Sequence, residues 1–381
     1  MAHFIENKDR TLTNLLEQIQ DQAARSADYL APTNQLQFET VETEFAENKS
    51  RIVIEANKGM PTTSLQVNDV AFDQIAARAD LPAKTARRLR DEYPDVLDHA
   101  VRRIWDQENE TRMVRAYMND NNFSSVDTGM ARAFVSDRFK TFDNVHLIES
   151  ALPELINSDA QWRVVTGEVT DKRMYLQFKS EVIQGEPRVG DRMANGIRLS
   201  NSEVGHGSLS VIQLVWTLAC LNGMQTQNLF RKAHLGQKAQ DSEFAELLRA
   251  ETIEKSNEAL AMQMQDIVKG FASRESFDQV ISKMADAHSR EVQGSPQQAV
   301  ENLGEVLKLS KAETSSVLDG LIDTMQQSGY TGTTINQATL VNAVTAVQHK
   351  VDADSAGDWQ RLGAKVLDLN ARQWDRVALA A

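Results

Sequence analysis

The chain has few of the residues on which several protein classes depend. Its 381 residues include one cysteine, Cys220, and seven prolines, and only 6% are aromatic. A single cysteine excludes an internal disulfide and any zinc site built from cysteines. No apolar stretch reaches the ~18–20 residues of a membrane helix, and the start lacks the pattern of a secretory signal. We therefore expect a cytoplasmic protein without membrane contact.

Negative charge is in excess, but it is unevenly distributed. The formal net charge of −13 argues against a generally basic nucleic-acid-binding protein. Residues 101–240, however, carry 17 Lys and Arg against 16 Asp and Glu, and both flanks are acidic. A polyanion would therefore meet the middle of the chain, whereas a protein partner would meet the acidic C-terminal region.

The spacing of apolar residues predicts an α+β fold. Alternating apolar residues predict strands at 111–118, 131–136, 162–169, 173–179 and 195–200. With a helix at 145–156, this order is typical of a mainly antiparallel sheet with packed helices. From residue 242 onward the spacing predicts almost only helix, including one that begins at a capping box formed by Ser310 and Glu313.

Three regions follow from this interpretation. Residues 1–50 are expected to form an N-terminal helix over 8–29 and an exposed connector, and residues 51–240 the α+β core domain. Residues 241–381 are expected to form a helical C-terminal domain. Within the core domain, residues 183–191 contain two glycines and Pro187, so that we predict a loop there.

Residues 195–224 are the segment around which the chain is organised. Residues 209–221 are its most apolar run and predict a buried central strand, closed by Gly223. The preceding turn, Asn201–Ser208, is polar and contains Gly205 and Gly207. Glycines permit positive φ angles and the close approach of a ligand. This turn is the best candidate site in the sequence.

Residues 72–92 resemble a helix-turn-helix whose second helix is basic, with Lys84, Arg87, Arg88 and Arg90. Such a helix would suit a DNA major groove. A helical hairpin with its arginines in water accounts for the same pattern. We favour the hairpin, because Asp80 stands where the turn of a helix-turn-helix often has glycine.

Catalytic or metal-binding arrangements are weakly indicated. Asp137 and Asp143 share one turn, and Glu203 and His206 are three residues apart, which would suit a metal ion or an acid–base pair. A salt-linked turn in which Asp143 caps the next helix explains the first pair, and the second lacks a third ligand. There is no nucleophile elbow and no phosphate-binding loop motif. We therefore predict no catalytic residue, metal or cofactor.

Basic residues accompany the predicted strands, together with aromatic residues such as Phe139. Single-stranded nucleic acid favours this combination, because phosphates bind Arg and Lys while bases stack on rings. Ordinary strand flanks and core aromatics explain it equally well. If the cations share one surface, the residues that would hold a DNA backbone are Arg112, Arg132, Arg138, Lys140, Arg198, Arg231 and Lys232.

Three blocks of the sequence resemble a phage- and plasmid-encoded family known as domain of unknown function 932. They are residues 71–117, the pair 131–144 and 195–211 with the later AHLG, and the tail 339–369. The residues that carry the second block are Ser136, Asp137, Arg138, Phe139, Asn144, Asn201, Ser202, Glu203, Gly205, Gly207 and Ser208. The resemblance implies a mobile-element protein in a bacterial host and brings no established activity.

Together these patterns favour a single-stranded DNA-binding protein, with strand annealing as a further expectation, that works as a homo-oligomer. The order of strands and helix is loosely similar to that of single-strand annealing recombinases, which is an analogy of fold alone. The alternative is a host-takeover or regulatory protein that acts by protein–protein binding. An enzyme built on Asp137, Asp143, Glu203 and His206 is the least favoured hypothesis.

Overall fold

The computed structural model describes residues 12–42, 48–55, 62–108, 110–119, 128–234, 250–326 and 335–379. These residues form two mostly antiparallel sheets, in the N-terminal and middle parts of the chain, and a helical C-terminal region. The predicted α+β class is therefore confirmed, with two sheets.

The first sheet has six strands. They are β1 (Ser26–Pro32), β2 (Leu36–Val41), β3 (Lys49–Ile54), β4 (Thr63–Val67), β5 (Thr111–Met118) and β6 (Gly129–Ser136). Their order is β1-β5-β6-β4-β3-β2, and only β4 and β6 are parallel neighbours. Three helices pack against this sheet around a core that contains Phe38, Phe72 and Trp105. These helices are α2 (Asp69–Arg78), α3 (Ala83–Glu92) and α4 (Pro94–Glu108).

The prediction for the first fifty residues is wrong in part. Helix α1 (Leu12–Arg25) ends before residue 29, and β1 begins at once. The last residues of the expected helix and the expected connector instead supply β1, β2 and the start of β3, with Phe38 fully buried. Strand β1 pairs with β5, whose partner residues lie 79 to 91 positions later in the chain. Such short strands depend on distant partners, which local patterns do not reveal.

The helical hairpin interpretation of residues 72–92 is consistent with the charge pairing in α3. Arg87 lies 2.6 Å from Asp73, and Arg88 lies 2.9 Å from Glu92. Arg90 is 7% exposed. These three arginines are paired with carboxylates or buried, as the helical hairpin interpretation expects, while Lys84 is exposed.

The second sheet is an antiparallel meander of five strands in the order β11-β10-β9-β8-β7. They are β7 (Trp162–Val169), β8 (Met174–Arg188), β9 (Asp191–Asn201), β10 (Leu209–Thr217) and β11 (Asn222–Lys232). Every residue of β10 is buried, which confirms the predicted central strand. The predicted loop at 183–191 is wrong, because β8 extends to Arg188 and turns at Gly190, whose φ is +92°. Gly223 does not close β10 but pairs with Trp216 from β11.

The remaining helices are α5 (Asn144–Ile156), α6 (Ala250–Phe271), α7 (Arg274–Ser289), α8 (Pro296–Leu307), α9 (Lys311–Gln326), α10 (Gln337–Ala346), α11 (Ala353–Leu367) and α12 (Ala371–Ala378). The predicted capping box is confirmed: Ser310 N–H donates to Glu313 over 2.8 Å, and Glu313 N–H donates back over 3.3 Å. In the part of the chain that the structure describes, no helix combines the length and apolarity needed to cross a bilayer.

The second sheet packs against helices that precede it in the sequence and against helices that follow it. Leu176, Leu199 and Val211 pack with α1, α5 and α6. Met193, Val215 and neighbouring residues pack instead with the C-terminal helices. The predicted domain boundary near residue 240 lies outside the described residues. The common core joins the C-terminal helices to the sheet as one packing unit.

Candidate functional site

The turn Asn201–Ser208 is held at the junction of the two sheets. Gln74 of α2 donates to the Val204 carbonyl over 2.6 Å, and Arg115 of β5 donates to the Glu203 carbonyl over 2.9 Å. Arg173, in the turn just before β8, donates from Nε to the His206 carbonyl over 2.7 Å. Because Gln74 and Arg115 belong to regular elements and Arg173 directly precedes one, the turn is held in place at three of its carbonyl groups.

The two segments of the second sequence block come into contact. Asn201 Nδ2 donates to Asn144 Oδ1 over 3.0 Å, and the Asn144 backbone N–H donates to Glu203 Oε1 over 2.6 Å. Phe139 stacks on His234, whose Nε2 lies 2.9 Å from Asn201 Oδ1. Ser136 accepts from the Arg138 N–H and donates to Asp137, which closes the exposed turn after β6. Residues more than fifty positions apart therefore build one structure.

Two of the carboxylates that were candidates for an enzyme, Asp143 and Glu203, form ion pairs with buried arginines. Arg132, 4% exposed, forms an ion pair with Glu203, and Arg115, 1% exposed, lies 2.8 Å from both Asp143 and Asp28. Burial alone would lower the pKa of Arg115, but the two carboxylates outweigh burial and raise it. Within the described ranges, no group of three or more His, Cys, Asp or Glu is arranged to hold a metal ion.

The structure does not gather the seven predicted DNA-binding cations on one surface. Arg132 is buried against Glu203, which corrects the prediction that it contacts phosphate, and Arg112 is paired with Glu110. Arg138 is exposed on the turn after β6, while Lys140 and Lys232 are neighbours. Alternation along β11 places Arg231 on the face opposite Lys232. Only Arg198 and Arg231 share a site.

That site is a polar cavity of about 490 Å³ between the second sheet and α11, here called the basic cleft. Cross-strand pairing brings Tyr175, Ser200, Ser210 and Arg231 into one row across four strands. Directly paired residues point to the same face of a sheet. The row and Arg198 therefore form one wall. The charged residues of the cleft are Lys172, Arg173, Arg198, Arg231, Arg361, Asp354 and Asp358.

Arg198 is a buried cation that forms no ion pair with any of the described residues; the carboxylate charge that acts on it is that of Asp358. It is 6% exposed, and its guanidinium donates to the neutral amide oxygens of Gln360 and Gln225 over 2.6 and 3.2 Å. Its Nε has no acceptor among the described residues. Burial lowers the pKa of Arg198 to about 10. Because an unpaired buried charge is costly, an anion in the cleft would find a site already built for it.

The two carboxylates of the cleft are already engaged. Asp354 accepts from the Tyr175 hydroxyl over 2.9 Å, and Asp358 pairs with Arg361 over 2.8 Å. Lys172, Arg173 and Arg231 therefore add to the positive charge around Arg198. His206 lines the same cleft, and its Nε2 is buried without a partner among the described residues. Burial, followed by Lys172 and Arg173, lowers the pKa of His206.

Glycines at two points allow the cationic side chains to approach. A Cβ at Gly207 would lie 2.6 Å from Arg173 Nε, and one at Gly357 of α11 would lie 2.6 Å from Arg198 Nη1. Both distances are shorter than any side-chain contact, so a larger residue would displace a guanidinium. Because Gly207 has no side chain, Arg173 can pack against the turn. Because Gly357 has none, α11 can cover Arg198.

An apolar groove of about 630 Å³ lies on the other side of the turn and shares Gly207 and Ser208 with the basic cleft. It is lined by Phe134, Phe139 and His234. The turn therefore separates a cationic cavity from an aromatic one. A ligand with both a phosphate and a ring would find a partner for each on either side of Gly207.

Gly205→Ala tests the fixed conformation of the turn. Gly205 has a φ of +81°, which costs an L-residue about 1–2 kcal/mol, although a Cβ would meet nothing closer than 3.4 Å. We expect the urea midpoint to fall accordingly. The matched control is Gly270→Ala in α6, where a Cβ has open space, and it should be neutral or stabilising. Equal effects of the two changes would contradict the assignment.

Comparison with known proteins gives no match for this chain. No protein-family model, no curated protein and no solved structure matches it. The resemblance to the phage- and plasmid-encoded family therefore stays a prediction.

Sequence reasoning found the turn but missed half of the basic cleft. Arg173, Ser200, Ser210 and Arg361 were not predicted as site residues. Ser200 could have been found, because it lies two residues after Arg198 on the same strand face. The pattern of α11 contains nothing that predicts its position over β9.

Proposed function

We propose that the protein binds single-stranded nucleic acid, with phosphate in the basic cleft and bases against the apolar groove. The observation that carries the proposal is Arg198, a guanidinium buried in a cavity with four further cations and, among the described residues, without an ion pair of its own. Arginine forms bidentate hydrogen bonds with phosphate, and these strengthen when water is excluded.

The aromatic residues support a nucleic acid over a simple anion. Phe139 is partly exposed and, with His234 stacked on it, lines the groove that begins at Gly207, where the basic cleft ends; Phe134 lies beneath, 4% exposed and stacked on Trp105. Bases stack on accessible aromatic rings without regard to sequence, with about 1–3 kcal/mol per base. Phosphates on one side of the turn and bases on the other would fit a strand whose bases are unpaired.

A single strand suits the site better than a duplex. Arg198 lies on the wall of a cavity, under α11, and its exposed fraction is only 6%. The backbone of a duplex is held on a rigid double helix, so that its phosphates cannot turn inward into such a recess. A flexible strand can turn a phosphate inward.

The proposal has three finer parts: strand annealing, homo-oligomerisation and a location in the cytoplasm of a bacterial host. They come from the sequence patterns and from the resemblance to a mobile-element family. Strand annealing would need no cofactor, since base pairing supplies the free energy. Light scattering with and without oligonucleotide would measure the number of subunits.

Arg231→Gln is the test of the basic cleft. Arg231 is exposed at the mouth, so its replacement leaves the fold intact and removes one phosphate contact. We expect a several-fold weaker affinity for a fluorescent oligothymidylate, measured by anisotropy. The slope of log affinity against log salt should decrease by about 0.7, the value for one phosphate contact on a single strand.

The matched control is Arg188→Gln, an exposed arginine at the far end of β8, which should bind like the wild type. Lys232→Gln removes the neighbouring cation on the opposite face of β11. A larger loss for Lys232→Gln than for Arg231→Gln would move the strand to that face and contradict the proposal. No binding at low salt would leave the alternative of a protein-binding regulator.

A further inference from the structure

We infer that the basic cleft binds the terminal phosphate of a strand, a phosphomonoester, rather than an internal phosphodiester. The inference rests on the proposed function and names the part of the nucleic acid that the site selects. It is carried by the depth of Arg198, by the charge of the cavity and by hydrogen-bond donors without partners.

The first argument is access. Arg198 lies in β9 between the neighbouring strands β8 and β10, and α11 covers it at Gly357. Its exposed fraction of 6% leaves room for a group that enters from one side. An internal phosphodiester must bring a nucleotide in on each side of the phosphate. A terminal phosphate brings only one, and a cavity of about 490 Å³ is within the size range of small-ligand pockets.

The second argument is charge. Asp358 is paired with Arg361, which leaves Lys172, Arg173, Arg198 and Arg231. Asp354 keeps its charge beside the neutral Tyr175 hydroxyl and offsets one of them, so that an excess of three positive charges remains for a ligand. A phosphodiester carries one negative charge, whereas a phosphomonoester carries about −1.5 to −2 at neutral pH. A cavity with several cations around one buried guanidinium therefore stabilises the monoester more strongly.

The third argument is hydrogen bonding. Arg198 Nε and His206 Nε2 are buried without partners among the described residues, and both residues line the cleft. Ser200 and Ser210 share a single hydrogen bond of 2.7 Å between their hydroxyls, which leaves one hydroxyl proton for a ligand. A terminal phosphate presents three acceptor oxygens, for the Arg198 guanidinium and for the free hydroxyl proton of the serine pair. An internal phosphate presents only two unesterified oxygens.

The test compares three versions of one labelled oligothymidylate, with a 5′-phosphate, a 3′-phosphate or hydroxyls at both ends. We expect one of the two phosphorylated strands to bind at least tenfold more tightly than the strand without a phosphate. Unlabelled thymidine monophosphate with its phosphate at the same position, 5′ or 3′, should compete, because it carries the same terminal group.

The variants Arg198→Met and Arg231→Gln should reduce this preference, and Arg188→Gln should keep it. Arg231 is exposed, so its variant gives a result even if Arg198→Met does not fold. Equal affinity of all three strands would overturn this inference and leave the proposed function intact. If none of the three strands binds, the proposed function fails, and this inference fails with it.

Discussion

Replacement of Glu203 by alanine is expected to lower the free energy of unfolding by about 3–5 kcal/mol, the usual cost of removing one partner of a buried ion pair. Glu203 is 8% exposed and its partner Arg132 is 4% exposed, so that water cannot replace the lost carboxylate. The variant therefore leaves a guanidinium charge in the interior at the junction of the two sheets.

The same carboxylate also satisfies a backbone group. Glu203 Oε1 accepts from the Asn144 N–H at the start of α5 over 2.6 Å, while Oε2 accepts from Arg132. Glu203→Gln keeps the volume and one acceptor oxygen but removes the charge. We expect its loss of stability to lie between those of the wild type and the alanine variant.

Urea unfolding followed by tryptophan fluorescence measures this loss. Asp323→Ala is the control, since it breaks an exposed pair, Lys350–Asp323 at 2.8 Å, and such pairs contribute about 0–1 kcal/mol. If Glu203→Ala and Asp323→Ala shifted the midpoint equally, the buried pair would not hold the junction. A shift for Glu203→Gln as large as for alanine would show that the charge alone decides the cost.

Elements with strong local signals could be predicted from the sequence. The apolar run of β10 is buried throughout, and the capping box of α9 has its two reciprocal hydrogen bonds. The hairpin of β7 and β8 also follows from alternation and a polar turn. In each case the residues that determine the element are adjacent in the chain.

Elements that depend on distant partners could not be predicted. Strand β1 contains a single buried residue, Ala31, and is a strand because it pairs with β5. Strand β11 is polar over much of its length, and its first half is buried by α11 and neighbouring helices. Neither has the alternation on which a local prediction depends.

At the candidate site, the surroundings of the arginines were the feature that the sequence predicted least well. Arg115, Arg132 and Arg198 stand in strands with the same polar and apolar alternation as exposed arginines. Arg115 meets Asp28, 87 residues earlier, and Arg132 meets Glu203, 71 residues later. Whether a strand arginine faces water, a carboxylate or an empty cavity is decided by the packing of the sheets, which the sequence does not encode locally.

Replacement of Arg198 by methionine is expected to weaken the binding of a phosphorylated strand by about 30-fold or more, since the loss of a buried charged contact costs about 2–5 kcal/mol of affinity. The same variant should change the stability of the free protein less, because two effects oppose each other. Methionine removes a buried charge that forms no ion pair with a described residue, which relieves a desolvation penalty of several kcal/mol. The oxygens of Gln360 and Gln225 each lose a donor, at about 1–3 kcal/mol each, which offsets that gain.

Replacement of an arginine that binds a ligand should lower affinity, whereas replacement of a structural arginine should lower stability. Arg115→Met removes a guanidinium that two carboxylates share, so it should destabilise the protein strongly. Arg198→Met should lose affinity with a urea midpoint near that of the wild type, measured on the same samples as the anisotropy. If Arg198→Met unfolded as readily as Arg115→Met and bound the strand normally, Arg198 would serve the packing of α11. The positive charge of the basic cleft would then not indicate a bound ligand.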